Sequence, residues 1–155
     1  MKKLLPFFVG IALIGGGCFN PPVAEKPTPK PQGPQATYVG CTPKAMTILE
    51  PVPGATVTLP FTVKARVHNA ERPDCPWTVF EAQAASMRLL DTNGATVGTG
   101  ILMTSQDWMT DGPIDFTGEI PAIAVVQGQA TLIITEENPS GEGTPEEIMI
   151  PLVVN

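Results

Sequence analysis

The chain contains a single histidine, His68, in 155 residues. Serine hydrolysis needs a base beside the nucleophile and a third group to orient that base. His68 falls on the polar face of an expected strand. Ser86, Ser105 and Ser140 all lie outside a Gly-x-Ser-x-Gly elbow, and Ser140 reads as a turn residue. Basic residues are also few: 9 Lys and Arg stand against 15 Asp and Glu, for a net charge of -6. Nucleic-acid binding, which neutralises phosphates with Lys and Arg, is excluded as a class. So is charge-driven recruitment to anionic lipid. The acidic surface reads as a solubility feature. No window carries an apolar stripe of helical period, and the one long apolar run, Leu4 to Ile14, is too short for a span of about 20 residues.

That run sits inside MKKLLPFFVGIALIGGGC. Lys2 and Lys3 form a charged start, Leu4 to Ile14 an apolar middle, and Gly15, Gly16 and Gly17 lead to Cys18. The segment resembles a bacterial lipoprotein signal. Gly16 and Gly17 fit its lipobox. Gly15 stands where a Leu-like residue is usual, and Ile14 comes one position early. The resemblance implies that residues 1–17 are removed, that Cys18 carries lipid, and that the remainder works outside the cytoplasm on a bacterial membrane. Ordinary secretion is the alternative. Loss of Lys2 and Lys3 makes the mature part more acidic still.

Three cysteines then divide into a lipid site, Cys18, and a pair, Cys41 and Cys75. In an oxidising compartment an even remainder predicts a disulfide. Two cysteines and the distant His68 do not make a zinc ligand set. Asp107, Asp111 and Asp115 recur every fourth residue, and Glu136, Glu137, Asn138 and Glu142 flank a second loop. Oxygen ligands of this kind suit calcium, but the EF-hand spacing is missing, so these residues read as a solvated acidic rim. No metal and no cofactor is expected.

Eighteen prolines are the positive signal. Six of them, Pro21, Pro22, Pro27, Pro29, Pro31 and Pro34, fall between Cys18 and the first apolar strand pattern. They fix φ and block helix and sheet, so residues 18–40 read as the lipidated cysteine and an extended linker. At about 3.1 Å per residue such a tether holds a domain up to roughly 60 Å from the membrane.

Residues 41–155 read as all-β. In Phe61 to His68, Phe61, Val63, Ala65 and Val67 share one face, and Thr62, Lys64, Arg66 and His68 the other. Leu132 and Ile134 oppose Thr131, Ile133 and Thr135. In Glu147 to Val154, Ile148, Ile150, Leu152 and Val154 share a face. Pro151 cannot donate to a ladder, which predicts an edge strand or a bulge there. Pro53-Gly54, Asp91-Thr92-Asn93-Gly94, Asp111-Gly112-Pro113 and Asn138 to Gly143 mark the turns, the second as a hairpin. Val79–Ala85 is ambiguous between strand and turn. About seven short strands predict a two-sheet sandwich of immunoglobulin type.

The order Ile48-x-x-Pro51-x-Pro53-Gly54-Ala55-x-Val57, Phe61-x-Val63, Leu90-Asp91-x-x-Gly94, Trp108, Phe116-x-Gly118, Glu136-x-Asn138-Pro139-Ser140-Gly141 resembles the immunoglobulin-like domain of bacterial spore-germination and sporulation proteins, the second Gmad-type domain. The resemblance spans about 46–154. It implies an extracytoplasmic immunoglobulin-like sandwich, often in a lipoprotein, without enzyme activity.

The expected function is a lipid-anchored, non-enzymatic binding or assembly module of the cell envelope. Its partner would be an extracytoplasmic protein or a cell-wall component, and its membrane contact the lipid on Cys18. Candidate partner-binding residues are Trp77 and Trp108, near expected loops, with Asn138 and Ser140 in the last turn. Exposed tryptophans anchor interfaces, whereas buried ones plug the ends of a core. A peptidase inhibitor is the alternative, acting through the Asn138–Gly143 turn and the Glu71–Trp77 loop.

Overall fold

The computed structural model describes residues 33–42, 44–110, 112–122 and 127–155. The expected signal segment, Cys18, most of the proline-rich segment and Asp111 lie outside the described residues. Nine strands occur among those described: β1 (Thr37–Val39), β2 (Met46–Glu50), β3 (Thr56–Val57), β4 (Phe61–Val67), β5 (Gln83–Leu90), β6 (Thr96–Met103), β7 (Ile114–Ile120), β8 (Gly128–Glu136) and β9 (Glu147–Val154). The only helical element there is a 3-10 turn, Asn69–Glu71. The all-β expectation holds, with two more strands than the seven expected.

The strands follow the order β1-β9-β8-β5-β6-β7-β4-β2, and β3 adds to β9 in parallel. The antiparallel path is fully laddered except between β6 and β7, which pair at one position, Met103 with Thr117. That junction divides the curled sheet into β2-β4-β7 and β6-β5-β8-β9. These are the A-B-E and C′-C-F-G groupings of an immunoglobulin-type sandwich. One core joins the halves. Val63, Ala65, Val67, Ile114, Phe116 and Ile120 come from the first, and Met87, Leu89, Leu132, Ile134, Ile148 and Ile150 from the second. Burial alternates along β4 and β9 as the sequence pattern requires.

Strand β9 is not at an edge, contrary to the expectation from Pro151. It pairs with β8 over Glu147–Val154, with β1 over Glu147–Met149, and with β3 over Val153–Val154. The proline stands in the gap where the second neighbour changes from β1 to β3. Its carbonyl accepts there from the Gly54 N–H at 2.7 Å. In a strand the N and C=O of one residue point to the same side, so the missing N–H faces this break and no ladder bond is lost.

The folded part also starts earlier than residue 41. Thr37–Val39, placed in the linker by the sequence, form β1 on the outer side of β9. All three are exposed, and only pairing reveals them as a strand. The ambiguous Val79–Ala85 segment resolves into a tight turn and a strand. Phe80 and Gln83 exchange both backbone hydrogen bonds at 2.9 Å, with Glu81 and Ala82 at φ 50° and 64° between them. Ala84 and Ala85 are then buried at the start of β5, where a bulge lies between Gln83 and Ala85.

Candidate functional site at the domain entrance

The chain enters the domain along β1 and is fastened at once by three kinds of link. The first is the β1–β9 ladder. The second is the disulfide between Cys41 and Cys75, with Cα atoms 6.0 Å apart, inside the normal disulfide range. The third is an ion pair between the Lys44 ammonium and the Glu146 carboxylate. Backbone bonds support the arrangement: Ala45 N–H donates to the Cys75 carbonyl at 3.0 Å, and His68 N–H donates to the Ala45 carbonyl at 2.8 Å.

The 68–77 loop provides the floor. The Asn69 side chain mimics a peptide group, accepting from Trp77 N–H at 2.8 Å and donating to the Trp77 carbonyl at 2.9 Å. This turns Trp77 inward, where it is 1% exposed. Its indole Nε1–H donates to the Ala84 carbonyl at 2.7 Å, which satisfies the one polar atom of the ring. The Lys44 ammonium lies 5.7 Å from the centre of the same ring, within cation–π range.

Two glutamates close the site from the β8–β9 connection. Glu136, the last residue of β8, accepts from Thr78 N–H at 2.6 Å and from Glu146 N–H at 3.2 Å. Glu146 accepts from Cys41 N–H at 3.2 Å through Oε1 and pairs with Lys44 through Oε2. The Lys44 side chain has no exposed surface, whereas that of Glu146 is 22% exposed. Desolvation holds the lysine below its ordinary value, and the Glu136 charge offsets part of that shift. Such a pair is costly to break, because one buried charge would be left alone.

The donor atoms of Cys41, Cys75 and Glu146 lie within 4.8 Å of one another. Both sulfurs are in the disulfide, so neither offers a thiolate to a metal. Of the aspartate series, Asp115 on β7 is held by Arg66 in a forked pair at 2.7 and 3.1 Å, and Asp107 in the β6–β7 connection accepts from Met109 N–H at 3.1 Å.

The structure corrects the reading of Trp77 as a partner-binding residue, since its ring is part of the core. Trp108 is half-buried and packs against that core. Asn138 and Ser140 spend their polar groups within their own turn. Asn138 Nδ2 donates to the Glu142 carbonyl at 3.0 Å, Ser140 Oγ donates to Asn138 Oδ1 at 3.1 Å, and Glu142 N–H donates to Ser140 Oγ at 3.2 Å. This turn starts two residues beyond Glu136, so it rises from the same end as the Cys41–Cys75 clasp. Lys44, Asn69 and Glu146 were not singled out by the sequence. The one available signal was a lysine set against the apolar Ala45 and Met46, three residues after a paired cysteine.

Comparison of the chain with family models, with curated proteins and with solved structures returns no match.

Proposed function

We propose that this chain is a lipid-anchored, non-enzymatic binding or assembly module of the bacterial cell envelope. In this reading Cys18 carries the lipid, the proline-rich segment is the tether, and the β-sandwich is the displayed part. The observation that carries it is the fastening of the domain entrance. Directly after the tether, β1, the Cys41–Cys75 disulfide and the Lys44–Glu146 pair tie the incoming chain to β9 and the 68–77 loop. A domain held by its N-terminal end needs that end to be its firmest, and a disulfide suits an oxidising compartment outside the cytoplasm.

The partner is an extracytoplasmic protein or a cell-wall component. Among the described residues the strand path ends at β2, whose Leu49 is 39% exposed, with Val52 at 58% just beyond it. An unpaired strand edge with apolar side chains suits the addition of a partner strand. The resemblance to the germination-type domain supports the same extracytoplasmic setting and extends the proposal to spore-forming cells. Photo-reactive residues placed at Leu49 and Val52 of the full chain test it in living cells. One discrete cross-linked envelope species is expected. Diffuse labelling, together with a catalytic turnover by the purified chain that a single substitution abolishes, would overturn the reading.

A further inference from the structure

Lys44 places a buried amino group against a carboxyl group. Its ammonium has no exposed surface, one wall around it is the Trp77 ring, and its partner is the Glu146 carboxyl. One further group bonds that carboxyl, and a second bonds the Glu146 backbone. The Cys41 N–H donates to Glu146 Oε1 at 3.2 Å. Glu136 accepts the backbone N–H of Glu146 at 3.2 Å and acts electrostatically on Lys44. An amine, a carboxyl group, a hydrogen-bond donor on the carboxyl oxygen and the charge of a second carboxylate acting on the amine are the parts of an amide-forming site.

We propose that Lys44 Nζ and Glu146 Cδ condense into an intramolecular amide that cross-links the domain entrance to the residue preceding β9. Within the ion pair a proton passes from Nζ to the carboxylate, leaving a neutral amine and a carboxylic acid. Burial favours this neutral pair over the charged one. The nitrogen lone pair attacks Cδ, and charge develops on Oε1, where the Cys41 N–H already donates. Glu136 takes a proton from the nitrogen and returns it to the departing oxygen. One C–N bond forms, one C–O bond breaks and one water leaves. Nothing is oxidised or reduced. The fold supplies the driving arrangement by holding the reactants in contact, which replaces the entropy cost of a bimolecular encounter. The amide also removes the fully buried Lys44 charge, whose desolvation is unfavourable.

Protein chemistry on the full chain tests this without any variant. The purified chain is unfolded, reduced, capped at its thiols and digested, and the fragments are weighed. The expected result is a joined pair of fragments, one containing Lys44 and one containing Glu146, lighter together by one water, with no tryptic cut after Lys44. Recovery of the two fragments separately and in full yield from folded protein would overturn the proposal. A Glu136→Gln chain that is still folded by circular dichroism is expected to give separate fragments. Joined fragments from that variant would overturn the role given to Glu136.

Discussion

Gly100 on β6 and Gly118 on β7 each stand where the crossing strand leaves no room for a side chain. A Cβ at Gly100 would run into the carbonyl oxygen of Glu119, and one at Gly118 into that of Ile101. The Met87 methyl closes against both positions. Neither glycine is needed for its backbone dihedrals. Their function is close approach, and that approach lets β6 pass β7 with a single paired position while the sheet curls around its core. Gly118→Ala is expected to lower stability by about 3 kcal/mol, at the upper end of the overpacking range. A urea midpoint shifted down at unchanged slope is the readout. Gly94→Ala is the contrasting variant. Space is open around Gly94, but its φ is 80°, so strain alone costs about 1 kcal/mol.

Trp77 and Trp108 should separate in a stability measurement. Trp77→Ala removes a core side chain that is 1% exposed and is expected to cost about 4 kcal/mol. Trp77→Phe keeps most of the volume but leaves the Ala84 carbonyl without its indole donor, at a cost of about 1–3 kcal/mol. Trp108→Ala is expected to cost less than Trp77→Ala, because Trp108 is only partly buried. Thermal melts of the three variants give the order directly.

The Glu81-Ala82 turn holds two non-glycine residues at positive φ. Two-residue turns of this kind favour Gly at the second position. Ala82→Gly is expected to raise stability by about 1 kcal/mol, since an L side chain in the left-handed region costs about that much. A rise in the chemical midpoint checks it.

Acid should act through Asp91 and Asp115. Asp91 is held below the ordinary carboxylate value first by the Ala95 N–H bond, and Asp115 first by the Arg66 hydrogen bonds. The folded state therefore binds fewer protons than the unfolded state in the interval between the two values. Their stabilising effect is complete above the unfolded value of about 3.9 and fades as pH falls through the folded value. Asp91→Asn and Asp115→Asn should each flatten the decline in stability below about pH 4. Denaturation midpoints across pH 2–6, roughly the window of carboxylate titration, provide the test.

The strands were legible wherever one face meets the core and the other meets water. Val63, Ala65 and Val67 in β4, and Ile148, Ile150, Leu152 and Val154 in β9, alternate for that reason. The Asp91–Gly94 hairpin was legible because its side-chain bonds are local: Asp91 Oδ1 accepts from Asn93 N–H at 2.8 Å and Ala95 N–H at 2.9 Å. The position of β9 was not, because a proline argues for an edge unless the neighbouring strand happens to change beside it. Three exposed residues after a run of prolines gave β1 no pattern of its own. Asn69 turning Trp77 inward, and Glu146 meeting Lys44 across the chain, are pairings of distant residues that no local pattern encodes. Of the site, the Cys41–Cys75 bridge was legible from parity and compartment, and the charged partners around it were not.

The most direct measurement is the mass of the mature N-terminal peptide of the chain isolated from bacterial membranes. The expected result is a chain that begins at Cys18 with a lipid on that residue, and a Cys18→Ser variant that leaves the membrane fraction. A mature chain beginning elsewhere without lipid, or one retaining Met1 in the cytoplasmic fraction, would contradict it.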